Sequence, residues 1–62
     1  MKKTVREWRE EKQMTQEDVS HKSGIPYSTY RKKETGLRKW YFDELLRVCD
    51  AIGITITDVC NG

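Results

Sequence analysis

Three hydrogen-bonding side chains, Tyr27, Ser28 and Lys32, are spaced so that one helix would present them together. Lys32 follows Ser28 by four residues, which places both on the same helical face. Tyrosine and serine hydroxyls donate or accept hydrogen bonds, and the tyrosine ring can contact a thymine methyl group. A lysine ammonium can donate to O6 and N7 of guanine. These residues are therefore candidates for contacts with the edges of nucleic-acid bases.

Basic residues are concentrated in the middle third of the sequence. Residues 21–40 carry six basic side chains against one acid and sum to +5, whereas residues 1–20 sum to 0 and residues 41–62 to −3. This asymmetry favours a face directed at a polyanion, although charge scattered over a solvated surface would look the same. Cations in this segment could neutralise phosphates, which adds affinity and salt dependence but no sequence information. The candidates are Lys22, Arg31, Arg38 and Lys39.

Residues able to catalyse a reaction or to bind a metal are few and isolated. His21 is the single histidine, Cys49 falls among apolar residues, and Cys60 lies near the C-terminal end. A zinc or catalytic site needs several such groups at suitable spacing. We therefore expect no catalytic residue, no metal and no cofactor, and a protein that is not an enzyme. Both thiols are expected to be free, in a reducing cytoplasm.

Capping and breaking residues divide the chain into short helices. The first helix is expected over about 4–12. Thr15 is a good N-cap, so a second helix follows it and ends at Gly24. The third is expected over about 26–35, because a proline suits the first helical turn and Gly36 stops the helix.

The fourth helix, expected over about 42–52, has the clearest apolar stripe and is followed by Gly53. Its expected inward-facing residues are Phe42, Leu45, Leu46, Cys49 and Ile52. A short fifth helix follows Thr55 as N-cap. Its residues available for packing are Ile56, Val59 and Cys60.

The segment 15–36 has the pattern of two helices joined by a tight turn. Ser20, four residues before Gly24, is small enough to allow a close approach of the next helix. Apolar contacts between the two helices would come from Val19, Ile25 and Tyr30. The pattern predicts a helix-turn-helix formed by helices 2 and 3, with helix 3 in a major groove. We predict an all-α fold, a compact bundle of five short helices, in a single domain over residues 1–62.

Four short motifs follow one another in order along this segment. They are Thr15-Gln16-Glu17-Asp18-Val19, Lys22-Ser23-Gly24-Ile25, Ser28-Thr29-Tyr30 and Glu34-Thr35-Gly36. With the fourth helix and Ala51-Ile52-Gly53-Ile54, their order and spacing resemble the Cro-like and lambda-type phage repressors, also called the xenobiotic-response-element family. The resemblance covers nearly the whole chain, from about Val5 to Cys60.

This resemblance implies a role for each matching position. Gln16 would contact a phosphate and brace the third helix. Arg9 and Glu34 would form a partly buried ion pair between the first helix and the end of the third. The positions matching base-reading side chains are Tyr27, Ser28 and Lys32. The positions matching residues near backbone phosphates are Thr29, Arg38 and Lys39.

Four positions depart from the family pattern. Lys33 stands where the family has an aliphatic or aromatic core residue, so either its stem packs with the ammonium at the surface or the third helix is held more loosely. Pro26 replaces the usual serine or threonine cap, which allows the first turn to shift by one residue. Trp40 and Tyr41 stand where proline and serine are common, and could be core, a dimer contact or a wall beside a phosphate.

Two functions fit these features. The first is a sequence-specific regulator of transcription, expected to be a repressor, that binds double-stranded operator DNA in a prokaryotic or phage cytoplasm. Such proteins act as homodimers on palindromic sites, and the expected dimer surface is the C-terminal end with Ile56, Val59 and Cys60. The alternative is a protein-interaction module on the same fold, such as the antitoxin of a toxin–antitoxin pair. We expect no membrane partner, because no apolar run approaches the roughly 18 residues of a membrane span. We expect no signal peptide, because Lys2 and Lys3 are followed by Arg6 and Glu7 and not by an apolar stretch.

Overall fold

The computed structural model describes residues 2–60. Its elements, in chain order, are α1 Val5–Glu11, α2 Gln16–Ser23, α3 Tyr27–Glu34, α4 Phe42–Ile52 and a 3-10 helix Ile56–Asp58. The all-helical prediction is confirmed, and residues 2–60 contain no strand. The count of five helices needs correction, because the last element is a single 3-10 turn flanked by extended residues. Within the same residues, no helix is long and apolar enough to cross a membrane.

Reciprocal hydrogen bonds start the first two helices where the capping residues predict. Thr15 Oγ1 accepts from the Asp18 N–H at 3.0 Å, and the Asp18 carboxylate accepts from the Thr15 N–H at 2.9 Å. Thr4 and Glu7 make the same exchange at the start of α1. Each exchange satisfies two backbone donors that a helix start leaves unpaired. Gly24 ends α2 in the left-handed region, at φ +75°, where glycine is favoured.

The core lies between α4 and the other elements. Its buried apolar residues are Val5, Val19, Ile25, Tyr30, Leu45, Val48, Cys49, Ile52 and Val59. The predicted stripe on α4 is wrong at two positions, because Phe42 is 68% and Leu46 is 42% exposed, while the unpredicted Val48 is fully buried. The buried α4 residues follow i, i+3, i+4, i+7 spacing. Phe42 and Leu46 lie roughly 70° and 110° round the helix from the middle of that stripe.

The two ends of the described chain are joined by backbone hydrogen bonds. Cys60 N–H donates to the Lys3 carbonyl at 2.7 Å, and Lys3 N–H donates to the Asp58 carbonyl at 3.2 Å. The Trp8 indole N–H donates to the same Asp58 carbonyl at 2.8 Å. These bonds hold Val59 against the core, where it is buried. The C-terminal apolar residues therefore pack largely inside the domain.

The Glu34 carboxylate, at the end of α3, joins three helices. Arg9 from α1 donates to it from Nε at 2.9 Å and from Nη2 at 3.2 Å. The Gln16 amide from α2 donates to it at 2.9 Å, and the Tyr30 hydroxyl donates from the preceding turn of α3. Only 1% of the Glu34 side chain is exposed. Each carboxylate oxygen therefore accepts two hydrogen bonds in place of water.

These contacts determine the ionisation of Glu34. Burial alone raises the pKa of its carboxyl, but the hydrogen bonds from Arg9, Tyr30 and Gln16 outweigh burial and bring the pKa below the ordinary value of 4.5. The carboxylate is therefore ionised in the neutral range. Because the folded-state pKa is the lower one, ionised Glu34 stabilises the fold above the unfolded-state pKa. This contribution is lost as the pH falls through the folded-state value.

We expect Glu34→Gln to lower the free energy of unfolding by up to about 3–5 kcal/mol at neutral pH, since it leaves the Arg9 guanidinium without its carboxylate. The difference from wild type should narrow as the pH falls, because wild-type Glu34 then becomes protonated. Urea denaturation at a series of pH values measures both effects. Glu10→Gln is the control: it removes an exposed partner of Arg6 and should cost less than about 1 kcal/mol. Equal losses in the two variants would contradict the central role of Glu34.

Two adjacent leucines of α4, Leu45 and Leu46, differ in burial. Leu45→Ala should lower the free energy of unfolding by about 2–5 kcal/mol, because Leu45 is buried in the core. Leu46→Ala, the same change one residue on, should cost less than about 1 kcal/mol because Leu46 is partly exposed. Urea denaturation of both variants tests the corrected orientation of α4, and a larger loss for Leu46→Ala would refute it.

Candidate nucleic-acid interface

The connection between α2 and α3 is three residues long and tightly held. After Gly24, the Ile25 carbonyl accepts a hydrogen bond from the buried Ser20 hydroxyl at 2.5 Å. Pro26 is the N-cap of α3, with φ −54° and ψ 141°, and makes no side-chain cap. The expectation that Pro26 belongs to the first helical turn is therefore wrong by one residue, and Tyr27 begins the helix.

The exposed face of α3 brings the three candidate base-reading residues together. Tyr30 and Lys33 form its buried side. Ser28 and Lys32 are exposed, and the helical repeat places them opposite that side. Tyr27 is 42% exposed and lies nearer one edge of the face. Ser28 and Lys32 therefore project furthest from the body of the domain.

Tyr27 and Arg31 form a stacked pair along the edge of α3 that faces α2. The Arg31 guanidinium lies 5.5 Å from the centroid of the Tyr27 ring. The ring also lines a shallow depression with residues of α2, among them Ser20 and His21. A guanidinium over an aromatic face is attracted by the ring quadrupole and loses freedom of movement. Arg31 is therefore oriented beside the exposed face of α3.

Arg38 and Lys39 lie on the loop 35–41. Contacts with α3 hold this loop on both sides of the two residues. The Lys32 carbonyl accepts from the N–H groups of Leu37 at 2.8 Å and Arg38 at 3.2 Å. Trp40 packs edge-on against the Tyr30 ring, with centroids 5.7 Å apart. Both cations are exposed. The loop thus presents two cations from a fixed base beside the C-terminal end of α3.

Gln16 and Thr29, the uncharged candidates for phosphate contact, are half-buried. The Gln16 amide already donates one hydrogen bond to Glu34. A second amide hydrogen and the carbonyl oxygen of Gln16 are left for another partner. Thr29 lies in the first turn of α3, where backbone N–H groups also point outward.

Lys33 does not reach solvent, which corrects the expectation of a surface ammonium. The residue is 5% exposed, and its ammonium donates to the Glu44 carboxylate of α4. The Tyr41 ring covers the ammonium, whose nitrogen lies 4.3 Å from the ring centroid. Burial raises the pKa of the Glu44 carboxyl, but hydrogen bonds from Lys33 and the Tyr41 N–H outweigh it and lower the pKa. Sequence reasoning missed Glu44, although a lysine at a core position requires a buried partner.

His21, Cys49 and Cys60 lie in different parts of the fold. His21 is exposed on α2, Cys60 is exposed, and Cys49 is buried, which raises the pKa of its thiol. Across residues 2–60, no three histidine, cysteine, aspartate or glutamate side chains are grouped so as to hold a metal ion.

The cations of this surface form no ion pair within residues 2–60, a property that they share with Lys2 and Lys12. Lys3, Arg6, Arg9, Lys33 and Arg47 each form an ion pair with a glutamate or aspartate. No carboxylate side chain of the described residues forms an ion pair with Lys22, Arg31, Lys32, Arg38 or Lys39. The one acid between positions 22 and 39, Glu34, is turned inward. The surface formed by α3 and the loop 35–41 is therefore cationic and free to bind an anion.

Comparison with known proteins agrees with this geometry. A family model described as a Cro/C1-type HTH DNA-binding domain matches residues 4–61. No curated protein and no solved structure matches the chain. The match extends over nearly the whole sequence and confirms the predicted resemblance. The chain therefore belongs to the Cro/C1-type helix-turn-helix DNA-binding domain family.

Proposed function

We propose that this protein is a sequence-specific transcriptional regulator, acting as a repressor, that binds double-stranded operator DNA. In this proposal α2 and α3 form the helix-turn-helix, and α3 enters the major groove. The tight connection supports this, since Gly24 and the bond from Ser20 to the Ile25 carbonyl hold the two helices close together. The protein would act in the cytoplasm by occupying DNA, without a chemical step.

The observation that carries the proposal is the segregation of charge around α3. Every cation on its outward face and on the adjoining loop is unpaired within residues 2–60, whereas cations elsewhere are mostly paired. Ser28 and Lys32 would read base edges at the centre of the face, with Tyr27 beside them. Phosphates on either side would be contacted by Gln16, Thr29, Arg31, Arg38 and Lys39.

We further propose that two copies bind a palindromic operator, each placing one α3 in the major groove. Of the C-terminal surface expected from the sequence, Cys60 is exposed, whereas Val59 is 8% exposed and Ile56 is half-buried, which leaves little apolar area for a dimer contact. Larger apolar side chains are exposed elsewhere, and among them Tyr41 and Phe42 are adjacent in sequence and 67% and 68% exposed. Together these two rings leave roughly 200–340 Å² uncovered, taking 150–250 Å² for each. That is a substantial part of the about 800 Å² that each partner buries in a stable interface.

A protein-interaction module, such as an antitoxin, is the competing proposal. It shares the exposed apolar surface but does not require the unpaired cations of α3. Selection of binding sites from a randomised duplex pool separates the two. A palindromic consensus bound at least about 10³-fold more tightly than a scrambled duplex supports the regulator. Weak binding that is independent of sequence and disappears with salt would favour the interaction module.

Lys32→Ala should weaken binding to the selected site by about 1–3 kcal/mol and relax the sequence preference at one position of each half-site. The reason is that Lys32 projects from the centre of the reading face, where an ammonium reaches a base. Lys12→Ala is the matched control, because Lys12 is an exposed lysine at the end of α1. Both variants lose one positive charge, so equal losses of affinity would mean that Lys32 contributes charge alone.

Phe42→Gln should abolish or weaken self-association, since it removes the exposed ring at the start of α4 without adding charge. Leu37→Gln is the control, because Leu37 is 78% exposed and lies in the loop outside α4. Sedimentation equilibrium, alone and with a two-half-site duplex, measures the association. A Phe42→Gln protein that dimerises as well as wild type would place the interface elsewhere.

A further inference from the structure

We propose that Lys33, Glu44 and Tyr41 form a positioning unit that fixes the loop 35–41 so that Arg38 and Lys39 meet the phosphate backbone. This inference rests on the proposed function, because it assigns a purpose to the loop only if the protein binds DNA. Lys33 and Glu44 would touch no nucleic acid themselves. They would act through the conformation of the loop.

Contacts at the two ends of the loop support this assignment. At its start, the carbonyl of Lys33 accepts from the Gly36 N–H at 3.3 Å, and Gly36 is left-handed at φ +90°. At its end, the Glu44 carboxylate accepts from the Tyr41 N–H at 3.0 Å. The same carboxylate oxygen accepts from the Lys33 ammonium. One side chain of α3 and one of α4 thus link the two ends of the loop.

The Tyr41 ring closes the arrangement from outside. The ring centroid lies 4.3 Å from the Lys33 ammonium nitrogen, although Tyr41 as a whole is 67% exposed. The ammonium is therefore held by a carboxylate and by the negative face of a ring. Removing the ammonium would leave the Tyr41 ring without this contact, two residues from Lys39.

Stability alone is a weak reason for this pair. A buried ion pair often adds nothing compared with apolar residues of similar volume, because desolvation offsets the attraction between the charges. An aliphatic side chain at position 33 could fill the core equally well. It could not reach both a carboxylate and the end of the loop. Beyond packing, the lysine orients the end of the loop, because its ammonium has to lie where Glu44 and Tyr41 meet.

The experiment uses variants that conserve net charge. Lys33→Met with Glu44→Gln removes one cation and one anion, and the glutamine oxygen can still accept from the Tyr41 N–H. The matched control is Lys3→Met with Glu11→Gln, because Lys3 also pairs with a glutamate and lies 4.8 Å from an aromatic ring, that of Trp8. The affinity for a duplex is measured over a range of salt concentrations, alongside thermal unfolding.

Removing the loop cations directly gives the change in salt dependence with which the Lys33/Glu44 variant is compared. Arg38→Ala with Lys39→Ala should reduce the slope of log affinity against log salt by about 1.8, since each phosphate contact contributes about 0.9. The Lys33/Glu44 variant should reduce the slope by a comparable amount while still unfolding cooperatively. The Lys3/Glu11 control should leave the slope unchanged. Combining the Lys33/Glu44 and Arg38/Lys39 changes should weaken binding by less than about twofold beyond the Arg38/Lys39 variant, because residues acting through one another are not additive.

Two results would overturn the inference: an unchanged slope in a folded Lys33/Glu44 variant, or a loss of affinity that adds fully to that of Arg38/Lys39. If that variant does not fold, a comparison of Tyr41→Ser with Phe42→Gln decides, because both remove an exposed ring of the proposed dimer surface and only Tyr41 contacts the Lys33 ammonium. A smaller slope in Tyr41→Ser than in Phe42→Gln supports the unit, and equal slopes refute it. The slope can be measured on any duplex, so binding without sequence preference would reject only the proposed regulator. Absence of all DNA binding by wild type would reject both proposals.

Discussion

The hydrogen bonding of the Glu34 carboxylate is the constraint on which the rest of the structure depends. An ionised carboxylate can be buried only if other groups replace its water, and here Arg9, Gln16 and Tyr30 do so. These donors come from three helices, so burying one charge fixes α3 against α1 and α2. A small apolar core resists sliding poorly, because apolar contacts have no direction. The carboxylate supplies contacts that have a direction.

The same principle explains where the charges lie. Cations that face the body of the domain have carboxylate partners, as Arg9 has Glu34 and Lys33 has Glu44. Most acids lie in ion pairs or in the first turns of helices. What remains on α3 and its loop is positive. The net charge of only +2 therefore understates the field that a polyanion would meet at this one surface.

Local signals in the sequence predicted the helices to within about two residues at each end, because capping threonines and helix-ending glycines act over one turn. The errors concern long-range packing. Periodicity did not show which side of α4 meets its neighbours, so Phe42 and Leu46 were assigned to the core and Val48 was not. The Lys33–Glu44 pair spans 11 positions and depends on the course of the intervening loop. The bridge from Lys3 to Val59 likewise has no local signature, and it draws Val59 inward.

The outward side chains of α3 have little to do with holding the domain together. Ser28 and Lys32 are exposed, while Tyr30, Lys33 and Glu34 on the opposite side make the contacts that dock the helix. Substitutions on the outward side therefore carry little penalty in folding free energy. In the proposed regulator, recognition can therefore diversify while the scaffold stays constant. In evolutionary terms, the helix separates the part of the sequence free to acquire a new target from the part that selection for folding must conserve.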